Sequence, residues 1–330
     1  MTSFAAKNII NKNINERNNT ETQLDFNVIL SNTVSHNKFM FKLIQCAENT
    51  YYLSCFANIG VYYLGNNEVL LIDSGDHKKS VGDLDKILSE RGWKVKMIVN
   101  THAHSDHIYG NEFFTEKYGC EVYASDIERY LVAQTKIDEK FFYNAVPIPR
   151  SKNPLFSFLG TKVKLLTKDA LPKGFDIISL PGHTYNMVGI KTADNVWFLG
   201  DALLSPQTFE GYKIPFNLNI NDCIETAKML ANFQGNFFVP SHVTPSSSIK
   251  ELAEFNAQRL AEIKEYIYKI CDGKSLEEII TQTDCDMKLD LNLDKYAKIT
   301  ISTKGYLQAL IDDGKITAKI ENGKMIYVKI

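Results

Sequence analysis

Apolar positions come in short alternating runs from residue 38 to 74. Residues 39–44, 51–53, 61–64 and 69–72 are rich in Phe, Tyr, Val, Ile and Leu, and are separated by Asn49 and Thr50 and by Gly65, Asn66 and Asn67. This pattern predicts a ladder of short strands. Between 78 and 91 the period changes to that of a helix, with Val81, Leu84, Ile87 and Leu88 on one face and Gly92 behind them. A strand at 95–99, a polar loop and a helix at 109–118 follow. Further strands are predicted at 161–166, 175–180, 187–191, 196–199 and 237–239, and helices at 125–135 and 221–233. Strands that pass into strand–helix alternation imply an α/β fold with helices packed outside the sheets.

The end of the chain reads differently. Residues 248–270 form one amphipathic helix, with Ile249, Leu252, Phe255, Leu260, Ile263, Ile267 and Ile270 as its apolar stripe and Gly273 beyond it. Helices at 275–283 and 293–311 precede a hairpin turning at Asn322 and Gly323. Two helices and a two-stranded wing predict a winged-helix-like region over 248–330. At the other end, residues 1–37 hold nine asparagines and little apolar pattern, the signature of a mobile tail. The expected organisation is therefore a tail (1–37), a main domain (38–247) and the C-terminal region (248–330).

Composition narrows the class. The chain has 330 residues, 44% of them hydrophobic, and 37 basic against 39 acidic side chains for a net charge of −2. It has apolar residues enough for a full core, and its balanced charge gives no general attraction to nucleic acid or membrane. No apolar run is long enough to span a bilayer, and the start lacks the pattern of a secretory signal. The six cysteines, with no closely spaced pair, read as reduced thiols of a cytoplasmic protein.

The chemistry concentrates in Asn100-Thr101-His102-Ala103-His104-Ser105-Asp106-His107, just past a strand end. Imidazole and carboxylate are costly to bury unpartnered and are the donor types of zinc and related divalent ions. Of the other four histidines, His183 lies between two predicted strands and His242 just past one, as does Asp201, while His36 and His77 read as solvated surface residues.

The run His102-x-His104-x-Asp106-His107, with Ile72-Asp73-Ser74-Gly75 before it and Gly182-His183, Gly200-Asp201 and Ser241-His242 after it, resembles the metallo-β-lactamase superfamily of hydrolases. The motifs span residues 72 to 242, and the compatible strand pattern extends the likeness to about 38–247. The resemblance implies an αββα sandwich with two divalent metals at one edge, zinc by preference and iron or manganese as alternatives. It assigns His102, His104 and His183 to the first metal and Asp106, His107 and His242 to the second, with Asp201 bridging them. Asp73 is implied as an outer-shell support of the histidine loop. The implied chemistry is attack by a metal-bridging hydroxide on a polarised carbonyl or phosphoryl centre, with Asp106 able to handle a proton.

Within the superfamily, aspartate at 201 argues against a true β-lactamase, whose members carry cysteine or serine there. A bridging carboxylate resembles instead the glyoxalase II-like branch, lactonases and the ribonuclease branches, of which a glyoxalase II-like hydrolase of a thioester, ester or lactone is the preferred reading. The basic C-terminal glutathione site of glyoxalase II proper is not found. Arg259, in a helix after the last ligand, and the winged-helix-like end are similar to members that include endoribonucleases. From 275 to 330, however, eight lysines face nine acids, not the basic patch a nucleic-acid wing needs. A packing or homodimer module is the expected role, with a small-molecule substrate and no membrane partner; a metal-dependent endoribonuclease acting on nucleic acid is kept as the rival reading. A single-iron persulfide dioxygenase of the same fold is the other alternative, since His and Asp donors do not separate iron from zinc. Phe141, Phe142, Tyr143, Phe156 and Phe158 are read either as a substrate lid or as ordinary packing. Tyr185, two residues past His183, is a candidate oxyanion donor.

Overall fold

In the computed structural model of the chain, residues 41–133 and 162–330 are described. The asparagine-rich tail, His36 and the five aromatics of the expected lid lie outside them. The first sheet has seven strands in spatial order β1 (Lys42–Gln45), β2 (Thr50–Ser54), β3 (Ile59–Gly65), β4 (Glu68–Ile72), β5 (Lys94–Val99), β6 (Glu121–Ala124) and β7 (Val163–Leu165). The first four form an antiparallel meander. The β3–β4 turn is tight because Gly65, Asn66 and Asn67 all take positive φ. From β4 onward the pairing is parallel, since helices now make the connections. These are α1 (Lys78–Glu90) between β4 and β5, then α2 (Ser105–Ile108) and α3 (Asn111–Tyr118) between β5 and β6, with α4 (Asp126–Ala133) after β6.

The second sheet is ordered β11 (Phe237–Val239), β10 (Val196–Phe198), β9 (Val188–Lys191), β8 (Asp176–Ser179). Strands β8, β9 and β10 are antiparallel neighbours, and β11 joins β10 in parallel after α5 (Pro206–Tyr212) and α6 (Ile220–Leu230). The inner faces meet through Leu70, Ile72, Met97 and Val99 of the first sheet and Val188, Ile190, Phe198 and Val239 of the second. Gly60 permits this approach, because a Cβ there would lie 2.6 Å from the Phe198 ring. The outer face of the first sheet buries Val69, Leu71 and Ile98 against Val81, Leu84 and Leu88 of α1 and Phe114 of α3. The second sheet buries Trp197 and Phe238 against Ala227 and Leu230 of α6 and Ala253 of the next helix. The layers are thus helix, sheet, sheet, helix.

That next helix, α7 (Lys250–Ile270), is followed by α8 (Leu276–Met287), α9 (Leu293–Asp312) and the antiparallel hairpin β12 (Ile316–Glu321) and β13 (Lys324–Lys329). Capping explains the starts. Ser275 and Glu278 close a reciprocal capping box on α8, and Asn292 accepts the Lys295 N–H at 2.9 Å on α9. The helices do not stand apart. Leu260, Ile263, Ile267, Tyr306, Leu307 and Leu310 share one core with Leu204, Phe209, Ile220 and Ile224.

Three local departures from the sequence expectation have physical causes. β6 is missed because Glu-Val-Tyr-Ala is too short to show a period, yet β5 and β7 flank it. The helix expected at 109–118 is broken at Gly110, where a Cβ would meet the Ser74 carbonyl at 2.3 Å, and its first turn reaches back into the histidine run. α5 is not foreseen, although Ser205 caps it and Pro206 opens it. Among the described residues no helix is long and apolar enough to cross a membrane.

Candidate metal centre

Topology brings the candidate ligands together. β4 and β5 run parallel, so Asp73 and the loop from Asn100 leave the first sheet at the same edge. β8, β10 and β11 also share a direction, so His183, Asp201 and His242 all follow the C-terminal ends of their strands. Hydrogen bonds between loops join the two edges. Val188 N–H donates to the Thr101 carbonyl at 3.0 Å and Asn58 N–H to that of Ser241 at 2.9 Å, while the Asn58 amide donates to Pro240 and Val243.

Two glycines let the ligands reach this position. Gly182 has φ +128, and a Cβ there would sit 2.5 Å from the Cys223 backbone nitrogen. Gly200 has φ +53 with Thr101 and Met187 at 3.1 Å. Both precede a candidate ligand and occupy backbone that other residues adopt at a cost. Asp73 holds a left-handed conformation (φ 62) without being glycine, the kind of strain that persists only where surrounding bonds enforce it.

The donor atoms form two groups. His102, His104, His183 and Asp201 each offer an atom within 4.8 Å of the others, as do Asp106, His107 and His242. His104 Nδ1 lies 2.9 Å from His102 Nε2 and 3.0 Å from His183 Nε2. Asp201 stands between the groups. Its Oδ2 is 3.3 Å from His183 Nε2 and 3.4 Å from His242 Nε2, and its Oδ1 is 3.3 Å from His107 Nε2. Asp106 Oδ2 lies 3.2 Å from His242 Nε2 and 3.7 Å from His107 Nε2.

The outward ring atoms decide what the inward ones can do. The Thr101 hydroxyl donates to Asp73 Oδ2 at 2.9 Å, so His102 Nδ1 donates to Thr101 Oγ1 at 3.0 Å. His107 Nδ1 donates to Asp73 Oδ2 at 2.8 Å, His183 Nδ1 to Asn217 Oδ1 at 3.3 Å and His242 Nδ1 to the Phe56 carbonyl at 2.8 Å. With one nitrogen carrying the hydrogen outward, the neutral ring presents a lone pair inward. His102 and His183 therefore both aim lone pairs at His104 Nδ1, whose single hydrogen could serve only one of them. Among the described residues, the buried His107 Nε2 and Asp201 Oδ1 come within 3.3 Å of each other without hydrogen-bond geometry and have no other partner. A divalent cation in each group would satisfy all of these atoms, and donors around one tetrahedral zinc stand roughly 3.3 Å apart. The residues present fit such ions.

Electrostatics separates the groups. Burial, followed by the neighbouring imidazoles, holds His102 well below the ordinary histidine value. Burial and then His183 push His104 down to about 3. Burial also lowers His183. This group is neutral imidazole with one carboxylate. In the other group burial opposes charge but is outweighed. Asp201, Asp106 and Asp73 hold His107 well above the usual value, and Asp201 together with the Asp106 hydrogen bond pushes His242 up to about 10. Burial disfavours ionised Asp106 and Asp201, yet His107 and His242 hold both well below the usual carboxylate range. Without a cation, protons occupy the second group.

Several supporting residues carry no signal in the sequence. Thr101 and Asn217 fix ring orientations as described. Asn256, buried in α7, donates to the Leu204 carbonyl and accepts its N–H, both at 2.9 Å, and so pins the loop after Asp201. Glu128 of α4 accepts from Ala103 N–H and from the Thr184 hydroxyl. Burial raises its pKa against those bonds. Phe216 packs edge-on against His104 and His183, and exposed Phe56 lies 4.7 Å from the His242 ring. Tyr185, two residues past His183, is exposed. His77 pairs instead with Asp76, at 2.7 Å.

Comparison with known proteins agrees on one family. The family model described as Metallo-beta-lactamase superfamily matches residues 54–242. Proteins named hydroxyacylglutathione hydrolase are similar. That of Stenotrophomonas maltophilia is 27% identical over 165 residues, 48% of this chain and 53% of its own length. That of Brucella anthropi is 25% identical over 184 residues, 54% of this chain and 62% of its own. The chain thus spans about half the length of the curated relatives it matches. Among solved structures, a metallo-beta-lactamase family protein from Thermus thermophilus superposes with a TM-score of 0.61 at 19% identity, covering 83% of this chain and 94% of its own. A beta-lactamase domain protein from Burkholderia ambifaria gives 0.64 at 15% identity, over 90% and 96%. At such identities the structures speak for the fold alone.

Proposed function

From the premise that this chain belongs to the metallo-beta-lactamase superfamily, we propose that it is a metal-dependent hydrolase of a thioester, ester or lactone. The observation that carries this reading is the donor arrangement: two groups at the strand-end edge with Asp201 between them, in which outward hydrogen bonds of one ring nitrogen turn the other nitrogen of His102, His107, His183 and His242 inward. In this reading His102, His104 and His183 hold one ion, Asp106, His107 and His242 the other, and Asp201 both, with Asp73 behind them. When bound, two divalent cations supply an acidified water as nucleophile and Lewis-acid polarisation of the scissile carbonyl. Zinc is the preferred metal. The relatives named for a hydroxyacylglutathione, itself a thioester, support that substrate class.

The chain's own residues set the rest. His102 and His107 are fully buried, whereas His104 is half-buried and the side chains of Asp106 and His242 are 22% and 16% accessible, so substrate approaches over His104, Asp106 and His242. The depressed basicity of Asp106 suits cation holding more than proton uptake. Tyr185, exposed and two residues past His183 in the chain, is the proposed donor to the developing oxyanion. Phe216 and Phe56 line the two groups with apolar surface fit for an acyl or ring substituent. A cytoplasmic setting and the division at 37 and 247 belong to the same reading.

The test is metal analysis of the purified chain with turnover of a panel of hydroxyacylglutathione and other thioesters, lactones, β-lactams and RNA. The expected result is two metal equivalents and thioester or lactone hydrolysis, with metal content reduced and turnover abolished in His104→Ala and Asp201→Ala. Cleavage of RNA alone, or one iron with oxygen consumption, overturns the assignment.

A further inference from the structure

One buried carboxylate near the candidate metal centre belongs to neither donor group and has no task in the proposed reaction. Glu128 is 1% exposed in α4. Its Oε2 accepts the Ala103 N–H at 2.9 Å and its Oε1 the Thr184 hydroxyl at 2.5 Å. Ala103 stands between His102 and His104, and Thr184 directly follows His183. The two loops come from different sheets, the first after β5 and the second after β8. One side chain thus ties together the backbone segments that carry all three histidines of the first group.

The rest of the first turn of α4 reinforces the tie. The Ser125 hydroxyl donates to the Asn186 carbonyl at 2.5 Å, and Ile127 N–H donates to Asn186 Oδ1 at 3.2 Å. Burying a carboxylate is costly unless its oxygens are bonded, and here both are bonded to the ligand loops. Glu128 is absent from both donor groups, so its effect on the reaction would pass through the histidines.

We propose that Glu128 is the positioning residue of the first metal group, a two-armed clamp that fixes His102 and His104 relative to His183 across the gap between the sheets. This rests on the metal-centre reading. Three nitrogens can meet one ion only if both loops keep their spacing, and the first sheet cannot dictate the spacing of the second. Beside the Val188–Thr101 backbone hydrogen bond, the Glu128 carboxylate links the two histidine loops through two hydrogen bonds to an ionised acceptor, stronger than neutral ones.

The test is cobalt(II) titration of the full chain carrying His242→Ala, in which only the His102, His104, His183 and Asp201 group stays complete. Visible absorption reports coordination, and circular dichroism reports folding. Adding Glu128→Ala is expected to weaken cobalt binding by about 10–100-fold, the usual effect of losing an outer-shell partner, and to change the absorption envelope. Glu128→Gln keeps an oxygen for Ala103 N–H and an amide for Thr184 Oγ1, and is expected to restore both. Thr184→Val cuts one arm only and falls between; it decides the matter if Glu128→Ala fails to fold. Equal affinity and spectrum with and without Glu128→Ala overturn the clamp, as does unchanged binding in Thr184→Val. No cobalt uptake by the His242→Ala chain, with folding intact, overturns the metal-centre reading itself.

Discussion

Replacing Asp73 with asparagine swaps one carboxylate oxygen for an NH2 group and exposes the logic of the site. Asp73 is 3% exposed and accepts three hydrogen bonds: Thr101 N–H on Oδ1 at 2.8 Å, and the Thr101 hydroxyl and His107 Nδ1 on Oδ2 at 2.9 and 2.8 Å. Asparagine offers one oxygen and one NH2. If the NH2 takes the Oδ2 place, the Thr101 hydroxyl can turn to accept, but His107 Nδ1–H meets a donor. The ring must then move its hydrogen to Nε2, which aims a proton at the cation position. If the NH2 takes the Oδ1 place, it confronts the Thr101 backbone N–H, which cannot turn. A buried polar group left unpaired costs about 1–3 kcal/mol, and loss of an outer-shell partner typically costs 10–100-fold in metal affinity. Asp73→Asn is therefore expected to weaken binding at the Asp106, His107 and His242 group by that factor, or to lower stability by about 1–3 kcal/mol. Competitive zinc titration, thermal unfolding and NMR of the His107 tautomer distinguish the two. Two equivalents bound at native affinity, in a protein of native stability, would refute the role given to Asp73.

Two further outcomes follow from charge and from packing. His107 and His242 are raised in the metal-free protein, His242 to about 10. Their contribution to stability is thus complete below the unfolded histidine value near 6.5 and lost as pH rises toward about 10. Metal binding at neutral pH should release protons from this group and tighten with pH, read by calorimetry in buffers of different ionisation enthalpy. Heats of binding independent of the buffer count against these protonation states. Deleting residues 275–330 removes Tyr306, Leu307 and Leu310 from the core they share with Ile220, Ile224, Leu260 and Ile263. Each large side chain uncovered costs about 1.5–3 kcal/mol, against a typical total of about 5–15 kcal/mol, so the shortened chain should be insoluble or unfolded. A soluble, cooperatively melting 1–274 fragment would make the C-terminal region a separable domain.

Legibility in the sequence followed residue type and contiguity. The strands β2, β3, β4 and β5, the helix α1 and the hairpin at Asn322 and Gly323 are written in local periodicity. β6 is set by its neighbours on both sides and leaves no pattern of its own. His102, His104, Asp106 and His107 stand out because such residues rarely cluster without a partner. That His183, Asp201 and His242 meet them depends on strand direction, which spacing alone does not state, and was supplied by the family resemblance. Glu128, Asn217 and Asn256 are ordinary polar residues that matter only through atoms distant in the chain.

The supports explain why the site needs more chain than its motifs span. On the first sheet, Asp73 and Thr101 form a closed network behind His102 and His107. On the second, the Ser302 hydroxyl of α9 accepts the Asn217 N–H at 3.4 Å, Asn217 accepts from His183, and Gly305 lies against Leu218 so closely that a Cβ would meet its carbonyl at 2.7 Å. Asn256 of α7 does the same work for the loop after Asp201. His183 and Asp201 are thus held from behind by helices whose residues all lie beyond the last candidate ligand, His242. A short parallel pair such as β10 and β11 cannot by itself fix its trailing loops. Buried polar contacts from α7 and α9 supply that restraint, which makes the C-terminal helices part of the framework of the candidate metal centre.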